Sequence, residues 1–239
     1  MGNLDLCQPE EAAQILTDHG LAAFSLTPEN VDLAHPEPAI RAEAVDYYLR
    51  LLNFAAALDQ PIVSCHGFVG RFRAIETQAR EWDLFVSAVR QVAARAETLN
   101  LRVVMEVLNR YEAHLVNTAA QALEFVDAVG SDHVGILLDA YHMNIEEASP
   151  AGALREAGDR LWLYHAADSN RQGLGRGHTD FGLQLEALEE IGYDGPIILE
   201  CPAPGPDPYS AIKDGESLPW LETFLAESKS HLNRRVGED

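Results

Sequence analysis

The chain has 239 residues, 47% of them hydrophobic, and its 38 acidic and 17 basic residues give a formal net charge of -21. This length suits one large domain, or at most two small ones, and we expect a single domain over residues 1–239. The hydrophobic share allows a sizeable core, which argues against wholesale disorder. The acidic balance argues against duplex nucleic acid and anionic membranes as partners, because such a surface repels both.

Short apolar segments alternate along the chain with longer segments of helical periodicity. A helix is predicted over residues 9–19. The apolar segments that follow lie at residues 21–26, 61–66, 101–107, 134–139, 161–165 and 196–201. Further helices are predicted at 39–58, 78–99, 118–129, 181–191 and 216–228, with Asn117 as the N-cap of the helix over 118–129 and Gly192 as the C-cap of the helix over 181–191. The apolar segments are rich in Val, Ile and Leu on both faces, which is typical of a parallel sheet covered on both sides.

This alternation predicts one α/β domain with right-handed crossovers. Two architectures fit it, an open doubly wound sheet and a closed (β/α)₈ barrel. No GxGxxG motif follows the first strand, which weakens the dinucleotide-binding version of the open sheet. A full barrel has eight strands and about 250 residues. With six clear strands, the sequence predicts a TIM-type (β/α) barrel that is incomplete at its N-terminus and lacks the first unit.

Cysteine usage and the absence of targeting patterns predict a cytoplasmic protein. Cys7, Cys65 and Cys201 form no CxxC pair, and their odd number does not suit a disulfide framework. The first residues lack the basic and apolar regions of a secretory leader. No apolar run approaches the roughly 20 residues that a membrane-spanning helix needs. We therefore expect reduced thiols and no membrane segment.

Four of the six predicted strands end in the same way, with an apolar triplet and then a residue that can bind a metal ion. These residues are Glu106, Asp139, His165 and Glu200. The carboxyl ends of parallel strands share one edge of the sheet, so the four side chains should meet there. Three carboxylates in one place repel each other, and a divalent cation resolves that conflict. A ligand set of three carboxylates and one imidazole is typical of Mn²⁺, Mg²⁺ or Co²⁺, whereas a structural zinc site is rich in thiolates.

Polar residues follow these strand ends, in the segments EVLNRYE, DAYHMNIEE and HAADSNRQGLGRGH. Barrel enzymes place their substrate contacts in such positions. Several donors and acceptors around one cation would suit the hydroxyl groups of a small sugar. The residue pattern therefore predicts a metal site with polar contacts suited to a sugar, but it does not by itself name a reaction.

The segments EVLNRYE, LLDAYHMNIEE, HAADSNR and GYDGPIILE resemble the ketose 3-epimerases, the D-tagatose and D-psicose 3-epimerase group of the xylose isomerase-like TIM barrels. The resemblance covers roughly residues 61–200. It implies a single Mn²⁺ ion, with Co²⁺ or Mg²⁺ as alternatives. The implied ligands are the same four residues, Glu106, Asp139, His165 and Glu200.

The resemblance also implies a reaction. Glu106 and Glu200 would act as the catalytic pair on opposite faces of carbon 3 of a free ketose, one removing a proton and the other returning one. An enediolate stabilised by the metal would lie between these two steps. The implied substrate-binding residues are Glu112, His142 and Arg171. An incomplete barrel exposes strand edges, so a homo-oligomer, either a dimer or a tetramer, is also expected.

Three alternatives remain. Hydroxypyruvate isomerases and ketose-phosphate epimerases share the barrel, but a phosphate needs a basic or glycine-rich cradle, for which only Gly173, Gly175, Arg176 and Gly177 are candidates. An endonuclease IV-like nuclease would need several metal ions and a basic groove, which the net charge disfavours. A truncated paralogue that binds metal or sugar without turnover is the third.

Overall fold

The computed structural model describes residues 4–204 and 215–236, with side chains as far as residue 233. By its internal contacts the chain divides into two compact units, Met1–Leu137 and Leu138–Asp239. Within the described residues, no helix is both long enough and apolar enough to cross a membrane.

The first unit consists of alternating helices and parallel strands. In chain order these are α1 (Pro9–Asp18), β1 (Ser25–Leu26), α2 (Pro38–Ala56), β2 (Ile62–Cys65), α3 (Gln78–Leu99), β3 (Val103–Glu106), α4 (Ala119–Val129) and the greater part of β4 (Val134–Asp139). Each strand pairs in parallel with the next, so that Val63 lies opposite Val103 and Val103 lies opposite Val134. The strands β3 and β4 are buried along their whole length, as expected of a sheet covered on both faces.

Helix α3 shows how the local sequence sets the bounds of these elements. The Thr77 hydroxyl accepts a hydrogen bond from the Arg80 N–H at 3.2 Å and caps the first turn. The helix ends at Asn100, whose φ of 53° is left-handed. Leu84, Phe85 and Val92 are buried along one face, as their spacing predicts.

The predicted N-cap of α4 is wrong by one residue. The cap is Thr118, whose hydroxyl accepts from the Gln121 N–H at 3.2 Å. The Asn117 amide group instead donates to the carbonyl groups of Leu108 and Ala113, at 2.7 and 3.0 Å. Asn117 therefore ties down the preceding loop.

The second unit holds the end of β4, α5 (Ala140–Glu146), α6 (Pro150–Ala157), a 3₁₀ turn (Gly158–Arg160), β5 (Leu161–Ala166), α7 (Phe181–Glu190), β6 (Ile197–Leu199) and α8 (Ser217–Val236). β5 and β6 are parallel, with His165 opposite Ile198. The prediction of six strands is confirmed, although β1, β2, β3 and β6 are shorter than expected. Helices α5 and α6 were not predicted.

Two of the three cysteines are buried. Cys65 and Cys201 are 0% and 4% exposed, whereas Cys7 is partly exposed, and all three are free thiols. Burial, assisted by the negative charge of Glu106, raises the pKa of Cys65 to about 12. Cys65 therefore stays protonated and unreactive at neutral pH.

Candidate metal centre

Three side chains of the second unit converge on one point. Asp139, His165 and Glu200 each offer a donor atom, and these atoms lie within 4.8 Å of one another. Nδ1 of His165 is 3.6 Å from Oδ2 of Asp139 and 4.0 Å from Oε2 of Glu200. Ligands bound at about 2.1 Å to a common ion lie roughly 3 to 4 Å apart. The spacing of these atoms therefore fits a single cation.

The strand ends position these three residues. Asp139 is the last residue of β4, His165 is next to last in β5, and Glu200 directly follows β6. The Glu200 N–H donates to the carbonyl of Ala166 at 3.1 Å, which extends the ladder between β5 and β6 to this residue. Backbone hydrogen bonds thus fix the position of Glu200 beside His165.

The Asp139 carboxylate leaves one oxygen available for an ion. Its Oδ1 accepts from the backbone N–H groups of Tyr141 and His142, at 2.6 and 3.2 Å, and so caps α5. Its Oδ2 is buried and has no hydrogen-bond partner in the described part of the chain. A buried carboxylate oxygen without a donor is costly, and a bound cation would satisfy it. The donor set therefore fits a divalent metal ion.

The two carboxyl groups of the centre have pKa values shifted in opposite directions. Burial, together with the negative charge of Asp139, raises the pKa of Glu200 to about 7. Burial also acts to raise the pKa of Asp139, but the Glu200 carboxyl and the nearby His165 and Arg171 outweigh it, and the net shift is downward. A proton on Glu200 thus relieves the repulsion that a cation would otherwise balance.

Arg171 lies against two of the three candidate ligands, Glu200 and Asp139. Its Nη2 donates to Oε2 of Glu200 at 3.2 Å and to Nε2 of His142 at 3.1 Å, and its guanidinium carbon is 4.4 Å from the centre of the Tyr141 ring. Because arginine only donates, Nε2 of neutral His142 accepts and the imidazole proton is on Nδ1. Arg171 adopts a left-handed φ of 54°, which costs a residue with a side chain roughly 1 kcal/mol.

His142 and Arg171, both predicted to bind substrate, are therefore placed beside Asp139, His165 and Glu200. Tyr141, which packs on Arg171, was not singled out from the sequence. Its position in the motif DAYHM, between two of the predicted residues, is the only sequence signal for it.

Glu106 and Glu112 lie in the first unit. Glu106 is the last residue of β3 and is 7% exposed. Glu112 accepts a hydrogen bond at 3.0 Å from the amide group of Asn109, which is 1% exposed. The predicted participation of Glu106 and Glu112 in the centre stays a prediction.

A family model described as "Xylose isomerase-like TIM barrel" matches residues 3–223. A D-psicose 3-epimerase from Ruminiclostridium cellulolyticum is 33% identical over 204 residues, which make up 84% of this chain and 67% of that protein. A D-psicose 3-epimerase from Enterocloster bolteae is 44% identical over 115 residues, or 48% of this chain and 38% of that protein. The chain thus spans about two thirds or less of the length of these two relatives.

A solved structure of another D-psicose 3-epimerase is also similar to this chain. The crystal structure of D-psicose 3-epimerase with D-tagatose from Clostridium cellulolyticum H10 superposes with a TM-score of 0.80 and 30% identity. The match covers 93% of this chain and 83% of that one. The comparisons support the predicted fold class and the predicted class of enzyme, an epimerase.

Proposed function

Since this chain belongs to the xylose isomerase-like TIM barrel family, we propose that it is a metal-dependent epimerase that inverts carbon 3 of a free ketose. The observation that carries the proposal is the convergence of Asp139, His165 and Glu200 around a buried oxygen that has no hydrogen-bond partner among the residues that the structure describes. This donor set lies in a chain that is 33% identical to a D-psicose 3-epimerase.

In this proposal Asp139, His165 and Glu200, joined by Glu106, hold one divalent cation, with Mn²⁺ as first choice and Co²⁺ or Mg²⁺ as alternatives. When bound, the cation would polarise the sugar carbonyl and acidify the neighbouring C–H bond. Carboxylate and imidazole donors suit these ions, and the three donors that converge in the described part of the chain include no thiolate that would favour zinc.

The two glutamates move the proton. Inversion of carbon 3 needs a base on one face and an acid on the other, and Glu106 and Glu200 are assigned to these roles. Arg171 donates to Oε2 of Glu200, which orients that carboxylate. Arg171 and His142, with Glu112, are assigned to the hydroxyl groups of the sugar, where donors and acceptors must alternate.

A free sugar is favoured over a sugar phosphate because the candidate phosphate cradle is already occupied. The N–H groups of Gly175 and Gly177 donate to Oδ2 of Asp168 at 2.8 and 2.9 Å. The Arg176 guanidinium is bound to the carboxylate of Glu227 at 2.6 and 2.9 Å. A phosphate would have to displace two carboxylates from their donors.

The test is hydrogen exchange at carbon 3. The protein loaded with Mn²⁺ is incubated in D₂O with D-fructose, D-tagatose and their phosphates, and deuterium at carbon 3 is followed by NMR. We expect incorporation with at least one free ketose and little with the phosphates. Absence of exchange with every ketose, despite bound Mn²⁺, would overturn the proposal in favour of a metal-binding paralogue without turnover.

The matched variants are Glu200→Gln and Glu190→Gln. Glu200→Gln keeps the shape of the side chain but cannot take up a proton, so we expect exchange to be lost. Glu190 is an exposed acid of α7 that pairs with Arg155, and its replacement should leave exchange unchanged. The cytoplasmic location and the homo-oligomer stay predictions.

A further inference from the structure

The loop between β5 and α7 is built around a single buried carboxylate, that of Asp168. Asp168 is 0% exposed. Its Oδ1 accepts from the N–H groups of Ser169 and Thr179, at 2.7 and 3.2 Å. Its Oδ2 accepts from those of Gly175 and Gly177, at 2.8 and 2.9 Å. Four backbone donors from both ends of the loop thus meet on one side chain.

Two of these donors belong to glycines that leave room for the carboxylate and for a neighbouring helix. A Cβ atom at Gly177 would overlap the carboxylate of Asp168. Gly175 has a left-handed φ of 91°, and a Cβ atom there would come within 2.7 Å of the imidazole of His231 in α8. The loop can therefore close on Asp168 only if these positions lack side chains.

Helix α8 holds the same loop from its other side. The Leu174 N–H donates to the buried hydroxyl of Ser228 at 2.9 Å. Glu227 of α8 binds the Arg176 guanidinium, which also lies 5.0 Å from the ring centre of Phe224. The hydrogen bonds to Asp168 and the contacts with α8 together restrict the conformation of the loop.

Arg171 lies within this closed loop. Its N–H donates to the backbone carbonyl of Asp168 at 2.8 Å. Its left-handed backbone conformation is unfavourable for an arginine, and such conformations persist where the surroundings hold them. The direction of the side chain follows from that backbone, so the closure of the loop sets where the guanidinium lies.

We propose that Asp168 is a positioning residue that holds Arg171 against Glu200 and His142, and so sets the affinity of the site for the ketose. This inference rests on the proposed function. Asp168 need not touch the substrate; it acts through Arg171. Its loss should therefore weaken sugar binding while Asp139, His165 and Glu200 still bind metal.

A double-mutant cycle tests this inference, with wild type, Asp168→Asn, Arg171→Ala and the double variant compared. In Asp168→Asn the one remaining side-chain oxygen can serve only one of the two pairs of backbone N–H groups, because the NH₂ group that replaces the other oxygen cannot accept. We expect KM for the ketose to rise about tenfold or more and Mn²⁺ affinity to change less than threefold.

In the Arg171→Ala background, Asp168→Asn should change KM less than twofold. Independent effects that multiply would overturn the inference, because Asp168 would then act without Arg171.

The position of the Arg171 guanidinium can also be followed by NMR, in an experiment that requires neither turnover nor bound metal. Arg171 lies on the face of Tyr141, so its side-chain protons should be shifted upfield by the ring current. In metal-free protein, Asp168→Asn should move these NMR signals toward their ordinary positions. Ser169→Ala is the matched control, because it removes the two hydrogen bonds between the Ser169 hydroxyl and His178 but keeps the backbone N–H that donates to Asp168. Unchanged signals in Asp168→Asn would contradict the inference.

Gly177→Ala is a second route to the same result. It displaces the carboxylate without removing its charge, and it serves if Asp168→Asn does not fold, as judged by circular dichroism. It should reproduce the rise in KM and the change in the Arg171 signals. If wild type turns over no ketose, the proposed function fails, while the NMR comparison still decides whether Asp168 positions Arg171.

Discussion

His165 contributes the one imidazole among the three converging donor groups, and it lies between two carboxylates. We expect His165→Ala to lower Mn²⁺ affinity at least about 100-fold, since even groups that only orient a ligand contribute about 10–100-fold. Isothermal titration calorimetry measures this, with Glu190→Gln as a control that should bind like wild type. An unchanged affinity in His165→Ala would mean that the ion binds elsewhere.

The lowered pKa of Asp168 should make the stability of the folded protein depend on pH. Burial would raise the pKa of Asp168, but hydrogen bonds from Gly177, Ser169, Thr179 and Gly175 outweigh it, so the pKa is lowered. A carboxyl whose pKa is lowered by folding contributes its full stabilisation at pH values above its ordinary, unfolded-state pKa of about 3.9. That contribution is lost as the pH falls through the lower pKa of the folded state. The gap in Tm between wild type and Asp168→Asn should be constant from pH 6 to about 5 and narrow below about pH 4. Thermal scans from pH 6 to 3 measure it, and a gap that stays constant would refute the assignment.

At the scale of residues, the sequence pattern explains why Asp139, His165 and Glu200 converge, but it did not predict the structure of the loop after β5. Asp139, His165 and Glu200 each lie at or next to the carboxyl end of an apolar strand, and parallel pairing brings such positions to one edge. The role of Asp168 depends on backbone N–H groups, which every residue except proline carries. No pattern of residue types marks which of them will converge, although the three glycines in GLGRG were a partial signal.

At the scale of elements, strands and long helices were predictable because their apolar patterns are long or continuous. α3 was predicted with its observed bounds, Gln78–Leu99, since its apolar stripe runs over several turns. α5 and α6 have seven and eight residues, which is too short for a clear period. For α6, Ser149 as the N-cap and Pro150 at the first position were a usable signal.

A buried network of charges joins four segments of the first unit. Arg71, in the loop after β2, binds both oxygens of Asp32, which follows β1, and lies 3.4 Å from Glu81 of α3. The same Glu81 oxygen is 2.8 Å from Nε2 of His114, which follows β3. Asp32 and Glu81 are 6% and 0% exposed. The network therefore links loops that follow three successive strands to one helix.

We expect Glu81→Ala to lower the free energy of unfolding by about 3–5 kcal/mol, because it removes the buried partner of Arg71 and His114 and the acceptor of two backbone N–H groups. Urea denaturation followed by circular dichroism measures the change. Glu97→Ala, at an exposed position of the same helix, should change it by less than about 0.5 kcal/mol. Equal small effects of both variants would show that the network does not stabilise the fold.

At the scale of the whole molecule, the net charge of -21 should destabilise the compact state through self-repulsion. We expect Tm to rise by a few degrees between about 10 mM and 300 mM NaCl, since ions screen surface charges beyond roughly 10 Å at 0.1 M. The scans are run with EDTA, so that bound metal does not contribute. KCl should act like NaCl, and a Tm that is independent of both salts would contradict this expectation.

The fold class and family were accessible from the sequence because they depend on alternation and on motifs that span most of the chain. The preferred sugar was not accessible, because it depends on the positions of hydroxyl-binding groups to within less than 1 Å. Glu112 illustrates the limit. The resemblance carried by the motif EVLNRYE predicts that Glu112 binds substrate, but its hydrogen bond to Asn109 is a property of the folded loop.

The burial of Cys65 and Cys201 has a practical consequence. Only the sulfur atom of Cys7, two residues before α1, is open to thiol-directed reagents in the native protein. A maleimide dye should therefore attach at a single defined place without any native cysteine being replaced. Unfolding would expose the other two sulfur atoms, so the number of dyes bound per chain also counts the fraction of denatured molecules in a sample.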